Sequence, residues 1–342
     1  MVRNAHEAAR MRAYDAASAL HHRLKSKDRI RNASTGQIDV FMAIEELGIP
    51  FTFQKLGKAL GFCIPHPTPG IIVTTERSLH IQRYTAAHEL GHIIMRHRGS
   101  VDTEILMRSA QLAERHVDIQ EIEAEAFAAH FLLPSWLYIH HMRRQNWNVR
   151  QHLTNPDIVY QLSLRMNVSY EAACWGLLVN DLVPRRSDVE NLLKHSPKSI
   201  KTATTTPVKK ALGQADAWRL TTKDNGTTLR GSKQDLIVLE LEEHASAGYL
   251  WNVDTLAHHG FDILHDGYAA DVDAGGYGGT QRRRAVLEPK ARGFADITLR
   301  HARPWGNHAE HGNGLSLSLE LFGSEEPGIS RARRQNLGLA IR

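Results

Sequence analysis

The sequence predicts a multidomain α+β chain, a mostly helical first part followed by an all-β sandwich. Three observations carry that expectation. Up to about residue 180, apolar residues recur at helical spacing between capping and stop signals. Residues 184 to 215 then change in composition, with Pro184, Pro197, Pro207, the run Thr202-Ala203-Thr204-Thr205-Thr206 and several lysines. Beyond them the period becomes two: Leu315, Leu317, Leu319 and Leu321 alternate with polar residues, and Ala295, Ile297 and Leu299 alternate with Phe294, Asp296 and Thr298. Short strands joined by Gly-rich turns suit a β-sandwich, and 342 residues suffice for two cores.

In chain order, residues 6 to 24 are helix-forming. Residues 38 to 48 show helical spacing at Ile38, Phe41, Ile44 and Leu47, with Gly48 as a stop. The turn residues Pro65, Pro67, Pro69 and Gly70 precede the β-branched run Ile71-Ile72-Val73-Thr74-Thr75. Helices are expected over about 81–97 and 118–133, the second stopped by Pro134. Residues 156 to 180 form a helical pair, with Pro156 in a first turn, Asn167 at the turn and Ser169 as a cap. The expected division is 1–183 as the helical domain, 184–215 as linker, 216–323 as the sandwich and 324–342 as a loose tail.

Composition narrows the function classes. A net charge of +5 is mild and dispersed, so it does not call for nucleic acid. The two cysteines, Cys63 and Cys174, do not read as a disulfide framework. No run reaches the roughly 18 apolar residues of a membrane span, and the N-terminal residues lack the apolar core of a secretory signal. A cytoplasmic protein without membrane contact is expected.

His88-Glu89-Leu90-Gly91-His92 fits H-E-x-x-H. On a helix, residues four apart share a face, so two imidazoles at that spacing can grip one zinc ion beside a Glu that works on water. Zinc lowers the pKa of a bound water toward about 7, and Glu89 is the expected general base. Gly91 costs a helix roughly 1 kcal/mol against Ala, which implies that something packs closely there. A catalytic zinc needs a third protein ligand. On the next helix Ile122, Ala126, Phe127 and Ala129 define a buried face, and Glu123 projects with them, whereas Glu121 and Glu125 sit further around. Glu123 is therefore the expected third ligand, the bland alternative being a solvated acidic face.

Thr85 to His92, Glu123 to Ala129 and Leu132-Leu133-Pro134, in that order, resemble the ImmA/IrrE family of zinc metallopeptidases over roughly residues 30 to 180. The resemblance implies a zincin-like domain of gluzincin type, with His88, His92 and Glu123 as zinc ligands and Glu89 as base. Several members cleave a helix–turn–helix repressor to switch on phage, mobile-element or stress genes, which implies that substrate class. Glu125 stands where the family commonly has Asn. The pair at 156–180 looks superficially like a DNA-reading helix–turn–helix, but Tyr170, Glu171, Ala172, Ala173, Cys174 and Trp175 offer no Lys or Arg to bases or phosphates. A packing role is expected.

Three C-terminal segments join Gly or Pro to an aromatic: His244-Ala245-Ser246-Ala247-Gly248-Tyr249-Leu250-Trp251, Gly276-Tyr277-Gly278-Gly279 and Arg303-Pro304-Trp305. Such composition suits binding loops on a rigid scaffold, although Trp251, at the start of a strand, can equally be core. Together they resemble the chagasin family of cysteine-peptidase inhibitors over about residues 220 to 322. That implies an immunoglobulin-like sandwich whose loops meet a peptidase. The first loop departs from the family pattern Asn-Pro-Thr-Thr-Gly-Tyr, and the loss of its Pro implies a looser loop with more entropy to lose on binding. The expected function is a zinc endopeptidase acting on a regulatory protein, with the sandwich recognising a protein. The alternative is a protein-binding sensor or cysteine-peptidase inhibitor whose zinc domain is not catalytic.

Overall fold

A computed structural model describes residues 2–32, 34–64, 67–97, 101–102, 118–269, 280–305 and 314–341. The first part opens with helices α1 (Val2–Arg23), α2 (Ser26–Asn32) and α3 (Val40–Glu46). Asp39 starts α3 by accepting a hydrogen bond from the Met42 amide at 3.1 Å, a cap worth about 1 kcal/mol. Strands β1 (Phe51–Gln54), β2 (Gly61–Ile64), β3 (Gly70–Thr74) and β4 (Val101–Asp102) form a mixed sheet in the order β1-β3-β2-β4. β1 runs parallel to β3 and β2 antiparallel to it, with Phe51 opposite Ile71 and Cys63 opposite the same residue. Helix α4 (Leu79–Ile94) packs on β2 and β3, and α5 (Ile119–Leu132) is wedged between α4 and α1.

Helices α6 (Ser135–Arg144), α7 (Val149–His152), α8 (Pro156–Met166) and α9 (Tyr170–Val179) complete this part. In α8 Pro156 sits in the first turn, where its missing N–H costs nothing, and Asn155 caps it. Asn167 ends α8 in the left-handed conformation (φ 53°), and Ser169 caps α9 by accepting from the Ala172 amide. Every residue of α8 from Ile158 to Met166 is buried. The Tyr138 hydroxyl donates to the Ala173 carbonyl of α9 at 2.8 Å and the Tyr170 hydroxyl to the Leu192 carbonyl at 2.9 Å. The pair is a packing unit.

The stretch expected as a linker is folded. It holds α10 (Arg186–Leu193) and α11 (Pro197–Thr205), which bury Val189, Leu192 and Ile200. Its composition misleads for a physical reason. Pro197 lies in the first turn of α11 behind the Ser196 cap, and the Thr204 and Thr205 hydroxyls donate back to the Ile200 and Lys201 carbonyls at 2.9 and 3.1 Å. Val208 and Leu212 then cover Leu236, Val238 and Val286 on the outer face of the second part.

That second part is built from two four-stranded sheets. One has the order β5 (Ala217–Leu220), β7 (Leu236–Glu243), β10 (Gln281–Pro289), β9 (Phe261–Tyr268). The other has the order β6 (Thr228–Arg230), β12 (Gly314–Leu321), β11 (Gly293–Ala302), β8 (Leu250–Trp251). The period of two is realised: Leu315, Leu317, Leu319, Leu321, Ile297 and Leu299 point into a core shared with Ile237, Leu239, Leu241 and Leu287.

The two parts do not sit apart. One apolar core runs through both. Across their junction Gln161 donates to the Ala217 carbonyl at 2.8 Å and accepts from the Arg219 amide at 2.9 Å. Arg165 grips Asp224 at 2.9 and 3.1 Å, both side chains at most 3% exposed. The tail expected to be loose is likewise tied down. Gly328 exchanges both backbone hydrogen bonds with Phe53 at 2.8 and 2.9 Å, Glu325 and Gln82 bond reciprocally, and helix α12 (Arg331–Asn336) follows.

Two buried histidines give this assembly an acid limit. His21 stacks on Phe131, and burial lowers its pKa to about 4. His141 donates from Nε2 to the Gly36 carbonyl at 2.6 Å, and burial lowers its pKa to about 3. In the unfolded chain both take up a proton near pH 6.5. Their contribution is thus fully present above about pH 6.5 and is lost as pH falls toward the folded values, at most about 3 kcal/mol for His21 and about 5 kcal/mol for His141. Thermal melting across pH 7 to 4 is expected to show a steep fall that His21→Gln flattens; an unchanged slope in that variant would contradict the assignment.

Candidate functional site

The centre forms where α4 crosses the start of α5. Thr85 through Ile93 are all buried. Gly91 is needed for close packing: a Cβ there would lie 3.0 to 3.2 Å from the Phe127 side chain of α5. Gly61 on β2 does the same on the other side, since its Cβ would meet Thr85 at 2.5 Å and a Glu89 carboxylate oxygen at 3.4 Å. Two glycines therefore let a helix and a strand close on the H-E-x-x-H segment, and Glu89 is held beside the sheet.

His88 and His92 bring their Nε2 atoms to 3.1 Å of each other. The carboxylate that joins them is Glu121, with one oxygen 3.4 Å from His88 Nε2 and the other 3.6 Å from His92 Nε2. Among the described residues, these three form the group whose donor atoms all lie within 4.8 Å of one another. Ligands at about 2.0–2.1 Å around a tetrahedral zinc stand about 3.3–3.4 Å from one another. The separations match that spacing, and the donor set, two imidazoles and a carboxylate, is one that zinc takes.

Glu123, expected as the third ligand, is not in this group. It is buried, as its spacing implied, but its carboxylate meets His97 Nε2 at 2.8 Å and accepts from Arg12 Nε at 2.6 Å. The reason lies in the neighbours of α5. A helix between two others has two inward faces, so burial spacing identifies an inward carboxylate without saying which helix it faces. Glu123 faces α1, while Glu121 in the first turn faces the two imidazoles. Nothing in the local sequence marks Arg12, which reaches Glu123 from 111 positions away.

At the far end of the chain, the loop expected to be loose is braced. Residues 245–247 form a 3₁₀ turn closed by Gly248 at φ 79°, a conformation that favours glycine. The Tyr249 amide donates to the His244 carbonyl at 3.2 Å. Arg303 donates from Nε to the Ala247 carbonyl at 3.0 Å and lies 4.8 Å over the Tyr249 ring. The Trp305 ring covers Gly248, where a Cβ would come within 2.8 Å of it, yet Trp305 remains 75% exposed. Pro304 between them is exposed. Contacts from the Arg303–Trp305 loop thus replace the stiffness that the missing Pro would give.

Trp251 is core rather than loop surface. It is 2% exposed, stacks on His301 at 4.7 Å, and donates from its amide to buried Glu243 at 2.7 Å. Gly276, Gly278 and Gly279 lie outside the described residues.

Comparison with known proteins agrees with this division. The peptidase M78 family, described as the IrrE N-terminal-like domain, matches residues 44–177, and the chagasin family peptidase inhibitor I42 matches residues 231–317. Amoebiasin-2 of Entamoeba histolytica is 32% identical over 103 residues, 30% of this chain and 83% of that protein. Among solved structures, the crystal structure of the cysteine protease inhibitor EhICP2 from Entamoeba histolytica is 29% identical, with a TM-score of 0.27 over 31% of this chain and 94% of that one. The solution structure of Amebosin is 26% identical, with a TM-score of 0.26 over 30% and 95%. With a metallopeptidase-like IrrE N-terminal-like domain ahead of it, the C-terminal sandwich places this chain in the chagasin family of peptidase inhibitors.

Proposed function

We propose that the chain is an intracellular zinc endopeptidase that cleaves a regulatory protein of the helix–turn–helix repressor class, and that its sandwich docks on a protein partner. The observation that carries the reading is the convergence of His88, His92 and Glu121 next to Glu89. A zincin-like first domain is consistent with the H-E-x-x-H helix lying on the mixed sheet, and an immunoglobulin-like second domain with two sheets sharing one core.

His88, His92 and Glu121 are the residues to hold zinc, which supplies a Lewis acid for the scissile carbonyl and acidifies an attacking water. Glu89 takes the proton of that water on its carboxylate and passes it to the leaving amine nitrogen. Its place one residue after His88 puts the base beside the ligands without making it one. Purified protein is expected to contain one zinc per chain and to cut a repressor substrate with many turnovers, ceasing on chelation. Stoichiometric binding of the repressor without turnover would favour a sensor.

The braced loop favours a second activity at the other end of the chain. The chagasin family is one of peptidase inhibitors. Exposed Trp305 and half-buried Tyr249 are the contact residues for a papain-like peptidase.

A further inference from the structure

We propose that His97, Glu123 and Arg12 form an outer relay that fixes His92 in its metal-binding tautomer and orientation. The inference rests on the reading of His88, His92 and Glu121 as a metal site and concerns three residues outside that set.

His97 lies just past the end of α4. The chain turns through Arg96 at φ 59°, and the His97 amide donates back to the His92 carbonyl at 2.9 Å. This folds the His97 ring against the His92 ring, with centroids 5.0 Å apart and planes at 75°. The two Nδ1 atoms meet at 3.0 Å, and His97 Nε2 meets a Glu123 carboxylate oxygen at 2.8 Å. The other oxygen of Glu123 is held by Arg12 through Nε at 2.6 Å and Nη2 at 2.5 Å. Glu123 is only 8% exposed, while Arg12 runs out toward solvent on α1.

The proton count along this chain has one solution for neutral rings. A neutral imidazole has one N–H and one lone pair. A carboxylate paired with a guanidinium accepts only, so His97 donates to it from Nε2. His97 Nδ1 is then the lone pair, and His92 Nδ1 must carry the hydrogen that meets it. The remaining lone pair of His92 is on Nε2, which faces His88 Nε2 at 3.1 Å and Glu121 at 3.6 Å. A lone pair aimed at a carboxylate is repulsive unless a cation lies between them. The relay therefore presents His92 in the one tautomer that binds metal through Nε2. A ligand histidine whose second nitrogen is engaged in this way has a fixed ring and a more basic donor atom, and loss of such partners typically costs about 10- to 100-fold in metal affinity. His97, Glu123 and Arg12 act through His92 and are positioning residues. Arg12 also links the docking of the first helix to the geometry of the centre.

The test uses the full chain, with zinc affinity from chelator competition and imidazole tautomers from long-range nitrogen–proton NMR. In the metal-free protein His92 is expected to be protonated at Nδ1 and His97 at Nε2. Glu123→Ala and His97→Phe are expected to weaken zinc by about 10- to 100-fold, and Glu123→Gln, whose amide oxygen still accepts from His97, to stay within a few-fold of wild type with the tautomers kept. Glu121→Ala is expected to lose zinc altogether. Unchanged zinc affinity in both Glu123→Ala and His97→Phe, with zinc lost in Glu121→Ala, would overturn the relay and leave the metal site standing. Loss of zinc in Glu123→Gln as complete as in Glu123→Ala would make Glu123 a direct ligand and overturn the proposal. Zinc retained by Glu121→Ala would overturn the site reading, and the relay with it. The tautomer spectrum decides the matter even where a substitution lowers stability.

Discussion

Glu89→Gln is expected to keep one zinc per chain and to cut turnover by about 100- to 10,000-fold, the usual weight of a positioned general base. Glutamine has the shape of glutamate, so the packing of this fully buried side chain against β2 is retained. What it lacks is a basic oxygen to take the proton of the attacking water. Because Glu89 lies outside the proposed ligand set of His88, His92 and Glu121, the metal content is expected to be unmoved. Zinc analysis and peptide cleavage on the same preparation separate the two effects. Cleavage at the wild-type rate would remove Glu89 from the mechanism, and zinc lost together with activity would place it among the ligands.

Asp224→Ala is expected to destabilise the whole chain by about 3–5 kcal/mol, because it strands the Arg165 guanidinium where it is 3% exposed. Asp224 accepts from Arg165, from Gln145 at 2.7 Å, and from the Thr221 amide at 2.9 Å in a capping box. It ties α8 and α6 to the start of the sandwich, and the apolar core is continuous across that junction. Calorimetry is therefore expected to show one transition, shifted as a unit. Two transitions of which only one moves, or a loss below about 1 kcal/mol, would mean that the two parts fold independently. The same continuity predicts that proteolysis at residues 184–215 does not release two pieces, since α10 and α11 are docked there.

The elements that follow from local chemistry were legible in the sequence. The H-E-x-x-H helix, the capped pair around Asn167 and the alternating leucines of β12 each depend on residues a few positions apart. What was not legible depends on partners far along the chain. Glu121 and Glu123 differ by which neighbouring helix they face, and that is set by α1 packing on α5. Pro- and Thr-rich composition signals a linker when read locally, yet Pro197 and Thr204 suit the ends of a short helix once Ile200 has a core to enter. The first chagasin-like loop appears unsupported in its own sequence because its supports, Arg303 and Trp305, lie more than fifty residues downstream.

The most direct test of the account is X-ray absorption at the zinc edge on wild type, Glu121→Ala and Glu123→Ala. The account predicts two imidazole nitrogens and carboxylate oxygen at about 2.0–2.2 Å in wild type, zinc lost in Glu121→Ala, and a first shell of the same composition in Glu123→Ala when zinc is supplied above its weakened affinity. A wild-type shell retained in Glu121→Ala, or a carboxylate missing only in Glu123→Ala, would contradict it.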